Sequence, residues 1–337
     1  MPGQQADKSP EARARELHQH HLVCDLHCDS ILSERDLTVR SEAGHLDIPR
    51  MMEAGIKAQV FAIWPDPKKL KAGEYEAYIA NVISRLDNLC ERAPDRITRV
   101  RSYGELQTAL ASGRISAITG IEGGHALEGD INRLRQWWDA GVRLLTITWC
   151  NSNELADGGW DEHQPHSGLS RLGRDAIREM NRLGMIVDVS HCSEKSFWQI
   201  LDTSQAPVVA SHSGVRALCD HPRNLTDDQI RALAEHRGLL GVIFLPAFLV
   251  SEPDSATIEH VINAIDHSVQ LVGPEYVAFG SDWDGFGAGP AGLEDVSKLA
   301  AVTAGLLARG YPEEGLQLIL GQNFLRVWSA IERAAAV

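Results

Sequence analysis

Short apolar runs recur along the chain, each rich in Val and Ile and each followed by a polar stretch with helical spacing. They fall at residues 23–29, 58–64, 115–122, 142–149, 185–191, 207–212, 239–245 and 277–282. Runs of this length and composition read as strands. The stretches between them, at 76–92, 103–111, 131–140, 170–183, 194–201, 226–236 and 257–271, are amphipathic. Ser102, Asp130, Ser193 and Thr226 stand where a helix N-cap belongs, since a short oxygen side chain can accept from a free N–H of the first turn. Strands that alternate with helices pair in parallel, because a parallel pair needs a crossover connection. Eight such units close into a (β/α)8 TIM barrel, with an open doubly wound sheet as the alternative.

The length of 337 residues suits one barrel domain, 1–337, with decorated loops. A polar segment precedes it at about 1–19, and a C-terminal helix with a break near Gly321 follows it. The second connection, 65–114, is long enough for two helices and a loop, and 158–166 reads as loop. Hydrophobic residues make up 44% and charged residues 23%, as in ordinary globular proteins. The net charge of −14 repels phosphate backbones and anionic lipid heads, so neither nucleic acid nor a membrane surface is an expected partner. Six cysteines lie scattered without a Cys-x-x-Cys pair, which fits reduced thiols in the cytoplasm. Segment 1–19 has no apolar stretch of the kind a secretory signal needs. No window approaches the roughly 18 apolar residues of a membrane span. A P-loop and a Gly-x-Ser-x-Gly elbow are both absent. The histidines at 18, 20 and 21 read as a solvated helix face.

The strand ends carry the candidate chemistry. The first holds Asp25, His27 and Asp29; the third Glu122 and His125; the fifth Asp188 and His191; the sixth His212; the eighth Asp282. In a barrel these ends share the C-terminal face, where active sites of this architecture sit. Strand alternation turns Asp25, His27 and Asp29 to one side, with Leu26 and Cys28 packed outward. Asp25, one layer deeper, is then expected to orient His27. Imidazoles and carboxylates meeting in one place are zinc ligands by type, and buried charges persist only when paired or metal-bound. Two cations fit the ligand count better than one. His27, Asp29 and Glu122 would hold the first, and Glu122, His191 and His212 the second. Two metals about 3.5–4 Å apart can share one hydroxide, beside which Asp282 would carry protons.

The ordered set Asp25-x-His27-x-Asp29, Gly120-Ile-Glu122-Gly-Gly-His125, Asp188-x-Ser-His191, Ser211-His212-Ser213, Arg223-Asn224-Leu and Gly280-Ser-Asp282-Trp-Asp284-Gly resembles the membrane (renal) dipeptidase family of metal-dependent barrel hydrolases. The resemblance implies a binuclear zinc centre on the five ligands just named, with Asp282 as proton shuttle. It also implies that Arg223 clamps the substrate carboxylate, that the substrate is a dipeptide, some with a D-residue at the C-terminal position, and that the chain is a homodimer. It does not carry over a membrane anchor, for which neither end shows a hydrophobic signal. The chain departs from the family in two places. A His that members carry after the fourth strand, where it helps stabilise the oxyanion, is replaced by Trp149 in Thr146-Ile-Thr148-Trp149. Trp149 through its indole N–H, or Asn151, Asn153 or His163 nearby, would then contact substrate instead. A Tyr of some members corresponds to Leu245. These departures keep two alternatives open: hydrolysis of another small amide, an N-acyl amino acid or a lactone, or a metal-binding paralogue without turnover.

Overall fold

A computed structural model of the chain describes residues 9–335. Residues 1–8 of the polar segment and the last two of the tail lie outside the described residues. Nine strands form one parallel sheet: β1 (Cys24–Cys28), β2 (Ala58–Ile63), β3 (Ile97–Arg99), β4 (Ile115–Glu122), β5 (Val142–Thr146), β6 (Ile186–Asp188), β7 (Val208–Ser213), β8 (Leu239–Val242) and β9 (Val277–Phe279). The order β1–β2–β4–β5–β6–β7–β8–β9 returns to β1, so eight strands close a (β/α)8 barrel and the open-sheet alternative is excluded. The ninth, β3, was not foreseen. It pairs only with the start of β4, within the long second connection. That connection otherwise holds the two expected helices, Tyr75–Arg92 and Tyr103–Ala111.

Helix starts follow the capping residues. Ser102, Ser193 and Thr226 each accept a first-turn N–H, from Glu105, Ser196 and Gln229. Asp130 stands one place earlier than a cap, yet its carboxylate still accepts from Asn132 N at 3.0 Å. The segment before the first strand contains a helix, Pro10–His20, that buries Ala14, Leu17 and His18. The histidine reading is corrected there for His18, which is buried, whereas His20 is exposed and His21 half-buried. The C-terminal helix does break at Gly321, where a Cβ would come within 2.5 Å of Leu22 Cγ.

Two apolar clusters organise the core. One takes residues from every barrel strand, among them Leu26, Val60, Ile118, Leu144, Ile186, Val209, Leu239 and Ala278, and is closed at one end by Phe324, Val327 and Trp328 of the last helix. It fills the barrel interior. The other packs the outer strand faces, including Cys28, Phe61, Leu145 and Val187, against the helices. Leu26 therefore faces inward and Cys28 outward, contrary to the strict alternation expected from sequence. The cause is a register shift between Asp25 and Cys28. A second shift interrupts β7 between Ala210 and Ser213. Such irregularities re-aim side chains beside active sites, and each here spans a candidate ligand, His27 or His212.

Candidate metal centre and active site

The two register shifts bring His27 and His212 ring to ring, with centroids 3.7 Å apart. Glu122, the last residue of β4, stands between them and His191. Its Oε1 lies 2.7 Å from His191 Nε2 and 3.4 Å from His212 Nε2, while its Oε2 lies 3.7 Å from His27 Nε2. One carboxylate thus offers a different oxygen to each side of the cluster. Asp282, just beyond β9, approaches His27 Nε2 at 3.8 Å. Donor atoms of His27, Glu122 and His212 all lie within 4.8 Å of one another, as do those of His27, Asp29 and Asp282. His191 and Asp282 adopt positive φ, 70° and 66°. A non-glycine residue in that region costs on the order of 1–3 kcal/mol, and such strain gathers at functional sites. The adjoining Gly285 leaves no room for a side chain, since a Cβ there would meet Asp282 Oδ1 at 2.4 Å and Asp29 Oδ2 at 2.5 Å.

Unpaired polar atoms in the cluster decide whether these residues fit a cation. Among the described residues, both ring nitrogens of the fully buried His27 lack a hydrogen-bond partner, as does Asp29 Oδ1. Each such group costs about 1–3 kcal/mol if left unsatisfied. His191 and His212 face each other Nε2 to Nε2 at 2.8 Å, where one proton at most can serve both. Burial drives all three imidazoles well below their usual pKa, and repulsion by Arg223 adds to it at His191 and His212. They are therefore neutral, the form that donates a lone pair to a metal. Burial, then repulsion by Glu122, pushes the carboxyls of Asp29 and Asp282 well above the usual range. Glu122 goes the other way: burial opposes its ionisation, but the hydrogen bond from His191 and the Arg223 guanidinium favour it and lower its pKa. Unpaired lone pairs and surplus acid are the deficit that divalent cations correct, so the residues fit a metal centre.

The outer contacts differ from the expectation at Asp25. That carboxylate does not reach the His27 ring. It accepts from Ser281 N at 2.8 Å, Ser281 Oγ at 2.6 Å and Gln59 Nε2 at 3.0 Å, and so clamps β1 to β9. An orienting carboxylate is found instead at His212, where it is Asp188. Ser211 Oγ donates to Asp188 Oδ2 at 2.6 Å and meets His212 Nδ1 at 2.8 Å. That chain fixes the proton on His212 Nδ1 and leaves Nε2 free, as metal-binding histidines require. Among the described residues, His191 Nδ1 meets only the Cys150 thiol, at 3.6 Å.

A cavity of about 470 Å³ opens above the cluster, lined by Asp29, Glu122, His191, His212 and Asp282 and walled by Trp64, Trp149, Trp160, Arg223, Leu245 and Phe248. Arg223 is buried, with its guanidinium carbon 5.4 Å from the Phe248 ring centre. Among the described residues the guanidinium makes one hydrogen bond, 3.3 Å to His212 O, and Nε has none. Of the four residues expected to offset the missing histidine, only Trp149 lines the cavity. Asn151 does not: its amide donates to Ser152 O within its own loop. Asn153 is spent on Ile147 O and Leu155 N, and His163 is exposed. His125, part of the Glu122 motif, turns aside to Pro65 O at 2.9 Å.

The sequence pattern of the membrane dipeptidases, peptidase family M19, matches residues 11–337. The chain belongs to the membrane dipeptidase family. An uncharacterized dipeptidase of Schizosaccharomyces pombe is 34% identical over 345 residues, covering 96% of this chain and 84% of the relative. Among solved structures, the probable dipeptidase PvdM of Pseudomonas aeruginosa superposes with a TM-score of 0.88 at 25% identity, over 97% of this chain and 99% of that one. A metallo peptidase of Rhodobacter sphaeroides, bound to a phosphinate mimic of L-Ala-D-Ala, superposes with a TM-score of 0.85 at 28% identity, over 92% and 99%. As a membrane dipeptidase the chain is a metal-dependent hydrolase of small peptides. Among its described residues no helix is long and apolar enough to cross a bilayer.

Trp64, Cys150, Trp160, Phe248 and Asp284 also line the cavity and were not singled out from sequence. Asp284 accepts from Arg35 Nη2 at 2.5 Å and from His45 N at 2.7 Å, tying residues 30–47 to the cavity rim. Trp64 was detectable as the aromatic that ends the second apolar run.

Proposed function

We propose that this dipeptidase works with two zinc ions. His27, Asp29 and Glu122 would hold one, and Glu122, His191 and His212 the other. The observation that carries the reading is the division of Glu122, one oxygen toward His27 and the other toward His191 and His212. Bound there, the ions supply positive charge that polarises the scissile carbonyl and acidifies a water. The chain's own residues do the rest. Asp282, buried beside His27, takes the proton of the attacking water and returns it to the departing amine. Arg223 binds the free carboxylate of the substrate through guanidinium donors that have almost no partner within the protein. The Phe248 ring lies beside that guanidinium, within cation–π reach at 5.4 Å. With the histidine replaced by Trp149, the residue itself contributes one indole N–H at most. A D-residue at the C-terminal position is accepted, in keeping with the mimic held by the Rhodobacter relative.

The reading extends to a homodimer in the cytoplasm. All six cysteines are free thiols, which supports a reducing compartment. Trp149 favours one second reading, in which another small amide, an N-acyl amino acid or a lactone is the better substrate. A panel of L,L and L,D dipeptides, run beside those compounds with and without a chelator, separates the two. Amino acids released from dipeptides only in the metal-loaded enzyme support the first. Faster turnover of an N-acyl amino acid or lactone supports the second.

A further inference from the structure

The aromatic side chains at the cavity mouth fall into two groups, Trp64 with Trp149 and Trp160 with Phe248. Trp64 follows β2 and Trp149 follows β5, on either side of the strand that ends in Glu122. Their ring centres lie 4.8 Å apart with planes tilted by 42°, so together they form one apolar wall. Around the closed barrel that wall stands across the mouth from the loop after β7, which carries Arg223, and from Phe248 after β8. The histidine and carboxylate cluster lies between the two, with the Trp149 ring centre 6.4 Å from that of His191.

A dipeptide has a direction, and this arrangement can read it. The inference rests on the function proposed above, with the substrate carboxylate on Arg223 and the scissile amide over Glu122 and Asp282. The chain of the substrate then runs from the Arg223 side toward the Trp64–Trp149 wall, so its N-terminal residue ends there. We propose that Trp149, backed by Trp64, selects the N-terminal residue of the substrate and favours a large apolar or aromatic side chain. Indole faces gain by burying such a side chain and by offset or edge contact with another ring, whereas a methyl leaves them largely uncovered. Lys68 stands 5.8 Å from the outer part of the wall, at the Trp149 ring. It is exposed, and solvent screens its pull on an acidic residue.

The test compares kcat/KM of the zinc-loaded enzyme for L-Phe-L-Ala, L-Ala-L-Ala, L-Ala-L-Phe and L-Asp-L-Ala, in the wild type, Trp149→Ala and Trp149→Phe. Inhibition by phosphinate dipeptide mimics bearing a Phe or an Ala side chain at the N-terminal position gives a second readout that needs no turnover of the probe. The wild type should prefer Phe-Ala to Ala-Ala. Trp149→Ala should cut that preference about tenfold, Trp149→Phe should restore most of it, and the ratio of Ala-Phe to Ala-Ala should stay put. The Phe-bearing phosphinate should lose its advantage in step. Brisk cleavage with a Phe-Ala to Ala-Ala ratio unmoved by Trp149→Ala overturns the inference alone. So does a wild type that prefers Asp-Ala to Phe-Ala. Cleavage of none of the four overturns the proposed function and this inference together.

Discussion

His18 and His27 are both buried, and they differ in what their nitrogens meet. His18, on the helix Pro10–His20, has Nδ1 2.7 Å from Ala54 O and Nε2 2.8 Å from Thr303 Oγ1. His27, at the end of β1, has neither nitrogen satisfied. The first pins a helix to the outside of the barrel. The second sits in a cluster that is short of positive charge. Burial by itself therefore does not mark a ligand. A complete set of hydrogen bonds marks a structural histidine, and an incomplete one marks a place where something else binds.

Three experiments would break or sharpen that contrast by separating turnover from stability. At the unpaired end, Asp282→Asn should lower kcat by about 10²–10⁴-fold while metal content and thermal midpoint hold, measured by dipeptide hydrolysis, elemental analysis and calorimetry. Wild-type turnover in that variant would remove Asp282 from the chemistry. At the paired end the effect is on stability and depends on pH. Burial pushes the His18 imidazole down to about 4, below its value of about 6.5 in the unfolded chain. Between those values the unfolded chain binds the extra proton, so this group's contribution is complete above pH 6.5 and is lost as pH falls toward 4. The loss amounts to about 3 kcal/mol. In chelator-treated protein, His18→Gln should be less stable than wild type at pH 7, and the gap should narrow by about that amount by pH 4. A gap that does not change with pH would mean that His18 is not buried neutral. The third and smallest effect is on affinity. Ser211→Ala, which cuts the chain from Asp188 to His212, should weaken metal binding about 10–100-fold, read by competition with a chelator. Unaltered affinity would mean that His212 needs no orienting partner.

How far the sequence could be read follows from the same chemistry. The eight barrel strands were legible because most are short β-branched runs and all end on the same face. The cluster of candidate ligands was legible because His, Asp and Glu gather at those ends. What could not be read is what the backbone does between regular positions. The register shift in β1 turns Leu26 inward and Cys28 outward, and no local pattern announces it. Asp25 consequently clamps Ser281 instead of holding His27. β3 is a three-residue strand with no signal of its own. Asn151 was close enough in sequence to Trp149 to be named a substrate contact, but its loop turns its amide onto Ser152. His18 looked solvated beside His20 and His21, because helical neighbours in sequence lie on different faces.

Metal content bears most directly on the central claim. Zinc-loaded protein, freed of unbound ions by gel filtration and measured by elemental mass spectrometry, should carry two zinc ions per chain, and His27→Ala should carry fewer. A wild-type chain that takes up no divalent ion, yet still splits dipeptides, would contradict the account.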